Sequence, residues 1–268
     1  MLGQSVAVAA LAAYALSGSA PALAAEFAVA VSPPRFEIEL APGKTRREVV
    51  EITSAAAQSA SFKMRTADWT FGPDASVNFV DELLPGSCRP WVAIERREVT
   101  AQPGRPVRFR FEVSAPADAL AQECRFALMI EGQDQTTGGS SLNLPFNARI
   151  GVIVYVAVGD VKPQLAIAGA RVEQVNGVPT PVLLVRNDGK AHGRLAGYLG
   201  GTDASGSKLE FTPASLPIMP GETRAIALTA TKEGDTETAV PVKFPVTVSG
   251  KLEWGGSQAL ELEQRFAQ

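Results

Sequence analysis

From Val107 to Val113 the chain reads Val-Arg-Phe-Arg-Phe-Glu-Val, an alternation of apolar and charged residues that an extended strand sorts onto two faces. The same period-two pattern runs through Phe36-Glu37-Ile38-Glu39-Leu40, Val49-Val50-Glu51-Ile52 and Phe62-Lys63-Met64-Arg65. Each run is short, and no long helical periodicity interrupts them. Pro42-Gly43, Pro103-Gly104 and Pro220-Gly221 each stand just ahead of an apolar run. Proline presets φ for the first turn position and glycine accepts positive φ at the next, so each pair predicts a chain reversal. Many short strands between such turns predict an all-β protein of sandwiches or barrels.

The first residues set the expected compartment. Val6 to Leu16 is an unbroken apolar run, and small residues at Ala22 and Ala24 suit signal peptidase. A run of that length falls short of the roughly 20 apolar residues a membrane-spanning helix needs. Residues 1–24 therefore read as a cleavable secretory signal, with an N-terminal helix of the mature fold as the alternative. The remaining chain has room for two domains of ordinary size. The boundary is expected near Gly159-Asp160-Val161-Lys162-Pro163, giving one immunoglobulin-like sandwich over residues 26–158 and a second over 162–268. In the second, strands are expected over Leu165 to Val175, Val182 to Arg186, Arg194 to Leu199, Ala225 to Ala230, Val242 to Val248 and Leu260 to Phe266. Gly200-Gly201 and Asp203 to Ser207 read as a hairpin tip.

A formal charge of −3, from 25 basic and 28 acidic residues, lacks the basic excess that nucleic acid or an anionic membrane surface requires. Direct membrane insertion is not expected either: the longest later apolar run, Ile150 to Val158, is interrupted by Gly151 and flanked by Arg149 and Asp160. Cys88 and Cys124 are the only cysteines, an even pair that in an oxidising compartment is a candidate disulfide, with two buried thiols as the alternative. They are too few for a structural zinc site, and no cofactor is indicated. His192 is the only histidine; it sits in the turn-rich segment Asn187 to Gly193 and reads as a surface-loop residue with no nucleophile motif nearby. Catalysis is not expected. A hydrolase would require His192 to share a pocket with a carboxylate.

The segment Ser140 to Val158 follows a polar loop and reads as one long strand. Leu142, Leu144, Phe146, Ala148 and Ile150 occupy alternate positions along it. Pro145 removes a ladder donor, which places this half of the strand on a sheet edge. An apolar edge is an aggregation hazard unless something covers it. Two readings remain open: core packing of a last strand, or pairing with the open edge of another polypeptide.

On these residues the chain resembles the periplasmic pilus-assembly chaperones of the chaperone–usher systems, most closely their archaic branch associated with spore-coat-U-like pilins. Ser32-Pro33-Pro34-Arg35 is similar to the family's first-strand motif, and Trp69 to its third-strand tryptophan. Pro103-Gly104 with Arg110 is similar to a turn and the strand after it, and Glu123 to an acidic residue before the next strand. Arg186-Asn187-Asp188-Gly189 and Leu216 to Gly221 resemble second-domain signatures.

The resemblance implies two immunoglobulin-like sandwiches at an angle in the periplasm. It implies donor-strand complementation of pilin-like subunits by Leu142 to Ile150, delivery to an outer-membrane usher, and Arg35 as an anchor for the client's terminal carboxylate. The chain departs from the pattern at three places. Gly151 stands where the family has a cleft lysine, with Arg149 two residues back as the expected substitute anchor. Tyr155 stands where many members have an interdomain arginine, and Thr53-Ser54 replaces an asparagine. A two-domain scaffold or adhesion module that kept the fold and lost the anchor is the competing expectation.

Overall fold

A computed structural model describes residues 29–56, 59–132, 135–136, 145–146, 148–235 and 237–268. The proposed signal segment, Leu142 and Leu144 lie outside them. The chain is all-β, built as two immunoglobulin-like sandwiches; among the described residues the only helical element is the single 3-10 turn Arg89–Trp91. No helix there is long and apolar enough to cross a membrane.

One layer of the first sandwich orders the strands Val29–Ser32, Thr45–Ser54, Val107–Ser114 and Val92–Ile94. The facing layer orders Arg35–Leu40, Arg149–Val158, Glu123–Gly132, Ala60–Phe71 and Val77–Val80, and Glu98–Ala101 also pairs with Ala60–Phe71. The chain changes layer at Pro33-Pro34, so Arg35–Leu40 runs parallel to Arg149–Val158 while the other pairs of this sandwich are antiparallel.

Alternation decides which side chains enter the core. Phe109, Phe111 and Val113 are buried while Arg108 and Arg110 face water. Phe111 lies edge-on to Phe36 at 5.2 Å and to Phe126 at 6.1 Å, the arrangement that aromatic quadrupoles favour. Cys88 and Cys124 form a disulfide with their Cα atoms 5.5 Å apart, tying the loop before the 3-10 turn to the start of Glu123–Gly132.

In the second sandwich the order is Leu165–Val175, Val178–Asn187, Thr223–Lys232, Lys208–Pro213, Ala196–Thr202, Val246–Trp254 and Gln258–Phe266. Thr223–Lys232 serves both layers: Thr223 to Ala227 pair with Val182 to Arg186, and Leu228 to Lys232 pair with Leu209 to Pro213. Between the layers lie Phe211, Ile226, Leu228, Leu252 and Phe266.

Three expectations change here. Gly200 and Gly201 belong to a strand rather than a hairpin tip, and only Asp203 to Ser207 turn, with Asp203 Oδ1 accepting from the Ser205 and Ser207 amides at 2.9 and 3.0 Å. Lys208–Pro213 is an additional strand. The strand expected from Val242 starts at Val246.

The Pro-Gly pairs turn as their chemistry requires. Gly43, Gly104 and Gly221 have φ of 72°, 63° and 75°, and each turn closes with a bond from the next amide to the residue before the proline: Lys44 to Ala41 at 3.1 Å, Arg105 to Gln102 at 3.2 Å and Glu222 to Met219 at 3.0 Å.

Candidate functional site: a free strand edge and the joint between the sandwiches

Arg35–Leu40 covers only part of its neighbour. The parallel register starts at Arg35 opposite Ile153 and ends at Leu40 opposite Val158. Arg149 to Val152 pair with Glu131 to Leu128 on one side, and among the described strands nothing pairs with them on the other. Beyond them Pro145–Phe146 pairs with Gln135–Thr136, which extends the same hairpin outward. The chain therefore presents a bare edge beside Arg149–Val152. Ile150, half-buried, packs on the first core, and Val152 is fully buried in it. Phe146 is described only through its backbone ladder, and Ala148 is half-buried.

The joint between the sandwiches is apolar at its centre. Trp69, Ala67, Ala127, Met129 and Tyr155, on the outer face of the first sandwich, cluster with Met219 of the second. The Arg224 guanidinium lies 4.3 Å from the Phe71 ring centre and donates to the Gly72 carbonyl at 2.9 Å, a cation on an aromatic face fixed by a hydrogen bond. Gly189 is required by close approach: a Cβ there would stand 2.4 Å from the Lys162 carbonyl oxygen of the connecting segment. Asn187, fully buried, organises the same loop. Its Oδ1 accepts from Gln164 and Gly189 amides, and its Nδ2 donates to the Ala191 and Ile218 carbonyls.

That loop delivers His192 into the joint, which corrects the expectation of a surface histidine. Its side chain is 7% exposed, and its ring stacks on Tyr155 at 3.8 Å. Glu123, only 6% exposed, accepts from the ring at Nδ1 (2.7 Å) and from the His192 amide (3.1 Å), while its own amide donates to the Lys190 carbonyl. A carboxylate can only accept, so Nδ1 carries the proton. Nε2 lies 3.6 Å from Glu37 Oε1, the same oxygen that Arg35 Nε approaches at 2.9 Å. Sequence reasoning missed this residue because the turn context of Asn187 to Gly193 shows a loop, and only apposition of the two sandwiches buries it. The only advance signal was a lone histidine beside Asn187 and Gly189.

The electrostatics follow from these contacts. Burial opposes protonation of His192, but hydrogen bonds and charges of Glu123 and Glu37 outweigh it and raise its pKa above the usual value. The hydrogen bond from His192 holds Glu37 down at about 2, with Arg35 helping. Burial pushes the Tyr155 hydroxyl up to about 12 and lowers the pKa of Arg194, whose Nε is buried without a partner among the described residues. The structure thus does gather His192 with carboxylates, as a hydrolase would need. Both ring nitrogens face carboxylates, however, whereas a nucleophile-activating histidine turns one toward a hydroxyl or thiol.

Arg35 and Arg149, the two expected anchors, are not brought together. Arg35 lies opposite Ile153, four residues past Arg149, a separation of roughly 13 Å along the strand. Arg35 belongs to the joint. Arg149 instead lines a groove of about 860 Å³ with Lys63, Arg65, Arg89 and Arg97, balanced only by Asp81 and Glu131. Arg65 is engaged by both of those acids, whereas Arg149, Lys63 and Arg97 form no ion pair among the described residues. Gly151 lies under the Phe79 ring, whose Cζ would stand 2.1 Å from a Cβ at that position. A lysine cannot be seated there while Phe79 keeps its place.

No family model and no curated protein matches the sequence. Among solved structures, the chain is similar to the SafB chaperone bound to SafA pilin of Salmonella enterica, at 10% identity over 89% of this chain and 97% of that one, with a TM-score of 0.48. It is also similar to the class 5 fimbriae chaperone CfaA, at 14% identity over 88% and 98% with a TM-score of 0.47. The CsuC–CsuE chaperone and tip-adhesion subunit complex of archaic Csu pili from Acinetobacter baumannii gives 12% identity over 90% and 99%, with a TM-score of 0.46.

Proposed function

We propose that this protein is a periplasmic chaperone of the chaperone–usher kind, which stabilises pilin-like subunits by lending them a strand and hands them to an outer-membrane usher. The observation that carries this reading is the bare edge beside Arg149–Val152, continued by Pro145–Phe146. A strand edge with unpaired amides and carbonyls binds an extended partner through main-chain hydrogen bonds, and alternate side chains supply specificity. Leu142, Leu144, Phe146, Ala148 and Ile150 are the donor residues on this reading.

Arg35 and Arg149 are the client-carboxylate anchors, acting at different places. Arg35, with 44% of its side chain exposed, meets a chain end at the joint, and Arg149 with Lys63 and Arg97 meets acidic groups along the groove. A guanidinium suits this task because its planar fork can bind a carboxylate through two bonds. The function needs neither cofactor nor catalysis.

The competing reading, a two-domain scaffold without carboxylate anchoring, draws on Phe79 over Gly151, which removes the lysine position. Co-expression with an exported pilin-like subunit separates the two. A soluble one-to-one complex is expected, lost in the doubly substituted Leu144→Asp, Phe146→Asp protein and weakened in Arg35→Ala. A complex that survives the double substitution rules out strand lending.

A further inference from the structure

The Arg35–Glu37–His192–Glu123 chain crosses from one sandwich to the other through side chains alone. Glu37 Oε1 is shared: Arg35 Nε approaches it at 2.9 Å and His192 Nε2 at 3.6 Å. Charged and titratable groups reach the histidine from every strand packed against it. From Arg35–Leu40 come Arg35 and Glu37, with Glu39 drawn off toward Lys162 at 3.6 Å. From Glu123–Gly132 come Glu123 and, one turn of the alternation away, Arg125, whose guanidinium lies 5.0 Å from the Trp69 ring centre. From Arg149–Val158 comes the stacked Tyr155, and from the segment following the histidine comes Arg194, which donates to the Ser215 carbonyl.

With His192 protonated, the nearest groups are three cations (Arg35, His192, Arg194) and two anions (Glu37, Glu123). The imidazolium then takes part of the Glu37 charge, and Arg35 retains positive charge for an incoming anion. With His192 neutral, Arg35 is the one cation left in an ion pair with Glu37 among the described residues, and the same guanidinium is offset by a carboxylate it already holds. Its 44% exposure keeps it open to a partner in both states, so what changes is the field it presents.

We infer that His192 is a positioning residue that sets, through Glu37, how strongly Arg35 attracts the terminal carboxylate of a bound polypeptide. This rests on the reading of Arg35 as an anchor. The joint therefore grips a carboxylate-ended strand more tightly in mildly acidic medium than in alkaline medium. The direction agrees with the raised pKa of His192 and the lowered one of Glu37. The imidazolium–carboxylate contact is complete once Glu37 is ionised, and it fades as pH rises through the histidine's value.

The test uses the full chain and a synthetic strand peptide of alternating valine and threonine with a free C-terminal carboxylate, its C-terminal amide serving as control. Binding is measured by titration between pH 5.5 and 8.5. For the native protein the carboxylate peptide should bind about two- to fivefold more tightly at the acidic end, the scale of one partly exposed charge interaction. The amide twin should show no such slope.

His192→Gln should hold the weak, alkaline affinity at every pH. Glu37→Gln should do the opposite and hold the strong affinity at every pH, because Arg35 then has no internal competitor. If the pH slope persists in His192→Gln, or if Glu37→Gln weakens binding as His192→Gln does, the histidine acts only as a structural contact and the inference is overturned. If Arg35→Ala leaves carboxylate binding unchanged at all pH values, the anchoring role of Arg35 fails, and the inference falls with it.

Discussion

Asn187→Ala is expected to destabilise the second sandwich by on the order of 4 kcal/mol, since four buried hydrogen bonds at about 1 kcal/mol each are lost. The amide is fully buried and uses its whole capacity: two bonds accepted, from Gln164 at 3.1 Å and Gly189 at 2.9 Å, and two donated, to Ala191 and Ile218 at 2.8 Å each. These partners come from the segment joining the sandwiches, from the loop bearing His192 and from the segment ahead of the Pro220-Gly221 turn. One side chain therefore fixes three pieces of chain that have no sheet ladder of their own.

The informative comparison is Asn187→Asp, which keeps the shape. A carboxylate can accept from Gln164 and Gly189 but cannot donate, and it would face two carbonyl oxygens. It should be at least as damaging as alanine in urea unfolding at neutral pH. If Asn187→Asp were nearly silent, the bonds to Ala191 and Ile218 would contribute little and the loop would be held by packing.

A second large effect is expected from the disulfide. Cys88 and Cys124 are separated by 36 positions, and in the chain-entropy model a cross-link of that span stabilises by about 4 kcal/mol. Both cysteines lie in the first core with almost no exposure, so replacing them together with serine also buries two hydroxyls. The double Ala variant is the cleaner measurement. It should lower the unfolding free energy of the first sandwich by a similar amount and leave the second sandwich, which has its own core, unaffected. Equal loss in both sandwiches would show that they unfold as one unit through the Met219 and Arg224 contacts.

Much of the fold was legible because period two is a strong signal wherever one face is wet. Val107–Ser114 and Arg35–Leu40 place their phenylalanines inward and their charges outward as the pattern requires. The Pro-Gly pairs located three reversals for a reason local to two residues. Val77–Val80 escaped because it is largely exposed, so its composition carries no burial signal. Lys208–Pro213 does alternate, but the run is only six residues long and follows directly on the Asp203–Ser207 turn, and it was not among the expected strands.

The site was less legible than the fold. The strand pattern pointed to Ile150 and its neighbours, yet the bare edge beside Arg149–Val152 depends on where Arg35–Leu40 starts to pair, a long-range register that no local pattern contains. Alternation put Arg149 and Gly151 on one face, but it could not reveal Phe79 lying over Gly151 from another strand. His192 shows the same limit. Its burial comes from Glu37, Glu123 and Tyr155, three residues on separate strands of the other sandwich.

On the proposed function a polypeptide partner adds to the edge beside Arg149–Val152. Amide hydrogen exchange, measured residue by residue on the free protein and on its complex with a pilin-like subunit, tests it most directly. Outward-facing amides of Arg149 to Val152 and of Phe146 should exchange quickly in the free protein and become strongly protected in the complex. Little change is expected in Ala127 to Glu131, which are already paired on both sides. Protection that appears on the second sandwich or in the Lys63–Arg149 groove, with this edge still exchanging freely, would contradict it.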